Sequence, residues 1–299
     1  MAREGKLLSA QFLMPDPGTK PGSARVAVCG GARLRFATRD GVGTRLLEQR
    51  VRPPLHLAKA YHENNWAISL LTSPTAGLLE GDALKIDTEL GPGSRAALIS
   101  PAACRVHTMI NGVARIQQKY SLAAGSALDV WPAPLVLQKD AALHQETEID
   151  CAADATLFFT EILAPGRAAH GESFQFREWR SRLRLRRAGQ LVAFENFRCS
   201  PEAGEPADWR QHYPQGLYAS IYYLSPQAYG SSVEALHQLD IAEATIGASP
   251  LREGGIAIKI LAASGIQLRR SILAVRELLI PQTGLVFPPA LQRAQTFFY

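Results

Sequence analysis

Three stretches of this chain repeat one plan about every 30 residues: LGPGSRAALIS from Leu90, LAAGSALDVWP from Leu122 and CAADATLFFTEI from Cys151. Each places a small-residue turn between two apolar strands. A strand pair closed by such a turn cannot bury its apolar face alone, but copies at a fixed period bury it by stacking. The repeat therefore predicts a mainly β chain, an elongated stack of strands in the manner of a solenoid.

The rest of the chain agrees. In ARLRFATRD, Leu34 and Phe36 take one face of a strand while Arg33 and Arg35 take the other. The same period of two runs through DALKIDTEL, SFQFREW and RSRLRLRR, and DGVG (Asp40 to Gly43) is a further turn cluster. Helix signals gather toward the C-terminus. Ser264 and Gln267 have capping-box spacing, Leu268, Ile272, Val275 and Leu279 form one buried face, and Pro281 ends the helix. A shorter helix is expected from Ser231, with Glu234 as its capping partner and Val233 and Leu236 buried. No linker is evident, so residues 1–299 read as one domain.

Composition excludes several classes. No uninterrupted apolar run nears the ~20 residues that span a bilayer, and MAREGKLLSAQFLMPDPG lacks the core of a signal peptide. The expectation is a cytoplasmic protein with no membrane partner. Cys29, Cys104, Cys151 and Cys199 are scattered and form no CxxC, so free thiols are expected and a structural zinc site is not. The net charge is +5 and arginine outnumbers lysine. In REWRSRLRLRRAG, Arg182, Arg184 and Arg186 share one face opposite Leu183 and Leu185. The Arg182 to Arg187 strand is thus either a docking face for nucleic acid or an acidic protein, or a solvated sheet face. Few aromatics interleave the arginines, which weighs against single-stranded nucleic acid.

The segment TAGLLEGD, Thr75 to Asp82, invites a phosphate reading that fails. Phosphate loops need GxxxxGK[ST], or GxGxxG opening a helix, whereas Gly77 and Gly81 lead into Asp82 and a strand. As a metal loop it offers only Glu80 and Asp82, too few oxygens alone. Taken by itself it is a turn. Cys104 and His107, three apart on a strand, point to opposite faces and cannot share a metal, and His170 is expected on an exposed loop. No nucleophile motif is present, and nothing supports a hydrolase. Two carboxylates stand out: Glu161 after TLFFT and Glu195 in LVAFENF. On strands this apolar they either face solvent or enter the interior, where they must be paired, metal-bound or lining a wet cavity.

Three segments together resemble the UreD/UreH urease accessory proteins. SPTAGLLEGDALKIDTELGPGSRAALISPAACRVHTM is similar to that family's HPPGG-x-x-GGD, strand, GPG-A-x-x-x-x-TP-A-x-K-x-Y pattern. EILAPGRAAHGESFQF resembles its E/D-x-x-x-x-GR-x-x-x-GE-x-F segment, and LRRSILAVRELLIPQTGLVFPPALQR its closing helix and proline-rich end. Departures are Glu80 in the second glycine pair, Arg105 for the lysine and His107 for the tyrosine. The resemblance implies a non-enzymatic scaffold with no permanent cofactor, carrying Ni²⁺ transiently. Its implied partners are UreF-type and UreG-type accessory proteins and urease apoprotein, with no nucleic acid. An interior passage for nickel would fall on Asp82, Glu161 and Glu195, with Glu80 and Glu172 as further candidates. Gly77, Gly81, Gly166, Arg167 and Gly171 carry the motif turns. Spaced carboxylates suit such transit, because hard oxygens hold Ni²⁺ less tightly than imidazole or thiolate would.

Overall fold

Four turns of coil and two facing sheets make up the body of this protein. The structure is a computed structural model that describes residues 27–132, 134–204, 207–227 and 232–294. The leading stretch read for a targeting signal and Ser231, the expected helix cap, lie outside the described residues. Half of the chain is strand and 15% is helix.

In chain order the strands begin with β1 (Cys29–Arg39), β2 (Gly43–Arg52), β3 (His56–Leu57), β4 (Tyr61–Glu63), β5 (Trp66–Thr72) and β6 (Ala83–Leu90). Next come β7 (Arg95–Ile99), β8 (Cys104–Val106), β9 (Ala114–Leu122), β10 (Ala127–Trp131), β11 (Leu135–Leu137) and β12 (Ala142–Cys151). The last six are β13 (Thr156–Ala164), β14 (Glu178–Arg187), β15 (Gln190–Cys199), β16 (Leu217–Leu224), β17 (Ala244–Pro250) and β18 (Ile256–Ala262). Helices are α1 (Ala207–His212), α2 (Ser232–His237), α3 (Gly265–Leu279) and α4 (Pro289–Ala294).

The repeat noted in the sequence is the coil itself. β6, β9, β12 and β14 run parallel in one seven-stranded sheet; β5, β7, β10 and β13 run parallel in an eleven-stranded sheet opposite. The three small-residue turns stack into a ladder along the edge. Gly93 N–H donates to Ala124 O (2.9 Å), Ala127 N–H to Ser94 O (2.8 Å) and Thr156 N–H to Ser126 O (2.9 Å). Ser94 and Ser126 close their own turns on the carbonyls of Gly91 and Ala123. Small residues are needed there because each turn lies directly on the next.

After the coils the chain reverses. β14 and β15 form an antiparallel hairpin, and β16, β18 and β17 extend the larger sheet antiparallel. Helix α3 covers that sheet's outer face with Leu268, Ile272, Val275 and Leu279, and Ser264 caps it by accepting from Ile266 N–H. Its one buried arginine, Arg276, forks onto Asp129 of β10 at 2.9 and 2.6 Å and stacks on Trp131 at 4.3 Å. In α2, Leu236 is buried as expected.

One expected strand is not a strand. In SFQFREW only Glu178 and Trp179 belong to β14; the preceding residues form a loop tied down by Phe174 N–H to Pro165 O (2.7 Å). The period-two pattern arises because Phe174 and Phe176 both plug the same core cluster from that loop. No described helix is long and apolar enough to cross a membrane. The four cysteines stand outside any disulfide, with Cys151 and Cys199 buried.

Candidate functional site

The glycine loop is zipped to β8. Leu78 N–H donates to Arg105 O (2.8 Å) and His107 N–H to Leu78 O (2.9 Å). Gly77 sits at φ +134°, where a Cβ would stand 2.2 Å from the Arg105 carbonyl, so only glycine allows this approach. Gly81, at φ +86°, makes the next bend.

Both loop carboxylates are taken up by backbone amides. Asp82, 5% exposed, accepts from Val28 N–H on one oxygen and Leu79 N–H on the other, each at 2.8 Å. Glu80 accepts from the amides of Ile110 (3.0 Å), Asn111 (3.1 Å) and Gly112, and these bonds hold its carboxyl below the usual glutamate range. Arg177 grips the other side of that loop through the carbonyls of Met109, Ile110 and Gly112. Asp82 and Glu80 therefore shape loops. Asp82 is expected to face an interior passage; here one of its oxygens is spent on its own turn and the other on the segment that leads into β1.

The GR-x-x-x-GE segment is built the same way. Arg167 forks onto Glu172 at 2.7 and 2.5 Å, which lowers the pKa of Glu172. Gly166, at φ +151°, lets the chain pass where a Cβ would lie 2.3 Å from Glu172 O, and Gly171 ends the short turn before it. His170 is exposed, as expected. His107 binds Ala76 O through Nε2 (2.9 Å), and Cys104 is not its partner.

Glu161 and Glu195 are different, because the fold brings them together between the sheets. On the larger sheet, Glu161 (β13), Ser220 (β16) and Lys259 (β18) are register neighbours in one row. On the smaller sheet, Gln118 (β9), Thr147 (β12), Leu183 (β14) and Glu195 (β15) form the facing row. Glu161 Oε1 accepts from Gln145 Nε2 (2.5 Å) and Thr147 Oγ1 (3.2 Å). Lys259 Nζ lies 2.5 Å from Glu195 Oε1 and donates to Ser220 Oγ (2.7 Å) and Tyr222 OH (3.1 Å). Gln118 donates to Thr147 (3.3 Å), which completes a polar belt between two apolar clusters.

Burial dominates the electrostatics of the belt. It pushes the Glu161 carboxyl up to about 7, against the pull of Lys259 and the bonds from Thr147 and Gln145, while Glu195 adds a further upward push. The phenols of Tyr218 and Tyr222 are pushed up by the same burial and stay protonated.

Beyond Glu161 the belt opens into a cavity of about 120 Å³. Its lining includes Gln118, Gln145 and Glu161, and also Thr72 and Ser73, which lead in sequence into the glycine loop. It lies where the coils are irregular, at Ser100 to Cys104 and at Pro132. Asp82, Glu80 and Glu172 do not line it. Among the described residues, no group of three or more His, Cys, Asp or Glu comes together to hold a metal. The belt brings two carboxylates into one polar row and no cage of ligands around them, among the described residues.

Sequence reading missed Lys259, Gln145, Thr147 and Gln118. Lys259 carried a signal of the kind that marked Glu161: a lone charge in the apolar run IAIKILA. The arginine strand resolves toward a solvated face. Arg182, Arg184 and Arg186 pair with Glu146 (3.4 Å), Glu148 (3.4 Å) and Asp150 (3.8 Å), their register neighbours on β12. Arg187 is buried and binds the carbonyls of Ala153, Ser225, Glu253 and Gly254.

Comparison with known proteins fits this architecture. Residues 28–294 match the family described as UreD urease accessory protein. A UreD urease accessory protein of Opitutus terrae is 32% identical over 257 residues, covering 84% of this chain and 93% of that protein. One from Acetivibrio thermocellus is 28% identical over 82% of this chain and 95% of its own length. A UreH urease accessory protein of Helicobacter hepaticus is 32% identical over 56% of this chain and 68% of its own. A match that spans nearly every described coil, strand and helix shows that the chain belongs to the UreD family of urease accessory proteins.

Proposed function

We propose that this chain is a non-enzymatic scaffold that conducts nickel toward the active site of urease during its maturation. It does so in a complex with UreF-type and UreG-type accessory proteins and the urease apoprotein. The observation that carries the reading is the polar belt. Two carboxylates, an ammonium and the uncharged side chains of Gln118, Gln145, Thr147 and Ser220 run between otherwise apolar sheets, from Glu195 at the β15 edge to a cavity that reaches Ser73. Charged groups set between apolar sheets carry a desolvation cost, largest at Glu161, and apolar side chains there would serve stability better. Their presence points to use.

Within this reading Glu161 and Glu195 are stations that hold the ion briefly, since hard carboxylate oxygens release Ni²⁺ more readily than imidazole or thiolate would. Asp82 contributes differently, by fixing the glycine loop. The test is nickel activation of apo-urease in vitro by complexes carrying Glu161→Gln with Glu195→Gln. Activation should fall severely while pull-down of the accessory partners and apoprotein is unchanged. Normal activation by the double variant would sink the passage; loss of complex assembly with intact fold would mean these residues serve docking instead.

A further inference from the structure

We propose that Lys259 is the resident counter-cation of this belt: its ammonium occupies the place that a divalent cation takes between Glu161 and Glu195, and it must leave before the cation can sit there. The inference rests on the nickel-passage reading and adds a gate to it.

The geometry of the lysine is unusual for its setting. Its side chain is 34% exposed at the open edge of the sheets, so its head could reach water. Instead Nζ is folded inward with all three donors used, on Glu195, Ser220 and Tyr222. It also lies 4.9 Å from the Tyr222 ring centroid and 5.8 Å from that of Tyr218. A cation is thus already bound, by carboxylate, hydroxyls and ring faces. It is tethered by its own backbone.

Such a tether solves a problem that the passage creates. Glu161 and Glu195 stand two strands apart in facing rows, yet Glu195 still pushes the Glu161 carboxyl upward, so leaving both uncompensated whenever no metal is present would be costly. Lys259 supplies the missing positive charge to the empty belt. The same charge then opposes entry of a divalent ion, which must take over the two carboxylates while the ammonium swings out on its four-carbon stem. A second, independent feature stands on the cavity side of Glu161, at Gln145. Gln145 is 4% exposed, its Nε2 is committed to Glu161, and its Oε1 has no hydrogen-bond partner. An amide oxygen left without a donor is a ready ligand for a hard cation.

The experiment uses the untagged full chain and Ni²⁺ alone. Equilibrium dialysis at about pH 8 should show Lys259→Met binding Ni²⁺ at least about tenfold more tightly than wild type, one like charge having been removed from the belt. Lys259→Arg, which keeps the charge, should stay close to wild type, and adding Glu161→Gln and Glu195→Gln to Lys259→Met should abolish the gain. Equal Ni²⁺ affinity of folded Lys259→Met and wild type would overturn the proposal. A second measurement needs no variant: amine labelling of wild type read by peptide mass spectrometry should rise at Lys259 when Ni²⁺ is added. Labelling indifferent to Ni²⁺ would equally refute displacement. If Ni²⁺ binding ignores Lys259 while the double glutamine variant still blocks urease activation, the gate falls and the passage stands. If Lys259→Met gains affinity while the double variant activates urease normally, the converse holds.

Discussion

Glu161→Gln should make this protein more stable and less useful at once. Burial raises the Glu161 carboxyl to about 7, from 4.5 for an ordinary glutamate. The native state therefore holds this proton more tightly than the unfolded chain does. Stability is highest below about pH 4.5, declines as pH rises through the window from 4.5 to about 7, and stays reduced above it. At roughly 1.36 kcal/mol per pKa unit, the ionised group costs the fold about 3 kcal/mol at pH 8. Glutamine keeps the shape, and its Oε1 can still accept from Gln145 and Thr147, but it cannot ionise. Urea unfolding of the two proteins across pH is the assay, and the difference between them is the readout, since it cancels every other titrating group. The curves should coincide near pH 4.5, with the variant ahead by about 3 kcal/mol at pH 8. A variant that is no more stable than wild type at pH 8 would show that burial does not dominate at this position. Gain of stability with loss of urease activation would mark a residue kept for function against stability.

Four further outcomes follow from other parts of the molecule. Arg276→Met leaves Asp129, fully buried, without its fork, and should lower stability by about 3–5 kcal/mol; adding Asp129→Leu should recover most of it, measured by urea unfolding. Gly77→Ala forces a Cβ to within 2.2 Å of the Arg105 carbonyl at φ +134° and should cost roughly 1–3 kcal/mol or more in thermal melts, whereas Gly171→Ala, with open space around it, should cost less. Converting Arg182, Arg184 and Arg186 together to Gln should change stability by only about 0–1 kcal/mol per pair and should leave nucleic-acid retention at wild-type level, as measured by filter binding. The Glu80 carboxyl is held low by three amides, so its contribution is present above the ordinary glutamate range and is lost as pH falls through its native value. Protection of the Ile110 to Gly112 amides, measured against their intrinsic exchange rates, should therefore fall on acidification in wild type, and be lower at neutral pH in Glu80→Gln than in wild type.

The coil was legible because its causes are local. A turn that must stack on the next turn can hold only small residues, and LGPGS, LAAGS and CAADA show this directly. Helix α3 was legible for the same reason, since its cap and apolar stripe sit within one stretch of chain. SFQFREW misled because alternation reports which side chains are buried, not which backbone path buries them. Two phenylalanines dipped from a loop leave the same pattern as two on a strand.

The belt could be read only in part, and the reason lies in how a solenoid works. Glu161 and Glu195 could be picked out as charges on apolar strands, but nothing near either says that Lys259 stands between them. Their meeting depends on which strand lies beside which and on the register, through Glu161 against Ser220, Ser220 against Lys259 and Leu183 against Glu195. Sliding β18 along β16 by two residues would keep each of its side chains on its present face of the sheet. It would also keep every turn and strand pattern intact. Yet Lys259 would leave the row, and Glu161 and Glu195 would be left uncompensated. The belt is thus a property of register, and the ammonium that completes it is the residue most sensitive to that register.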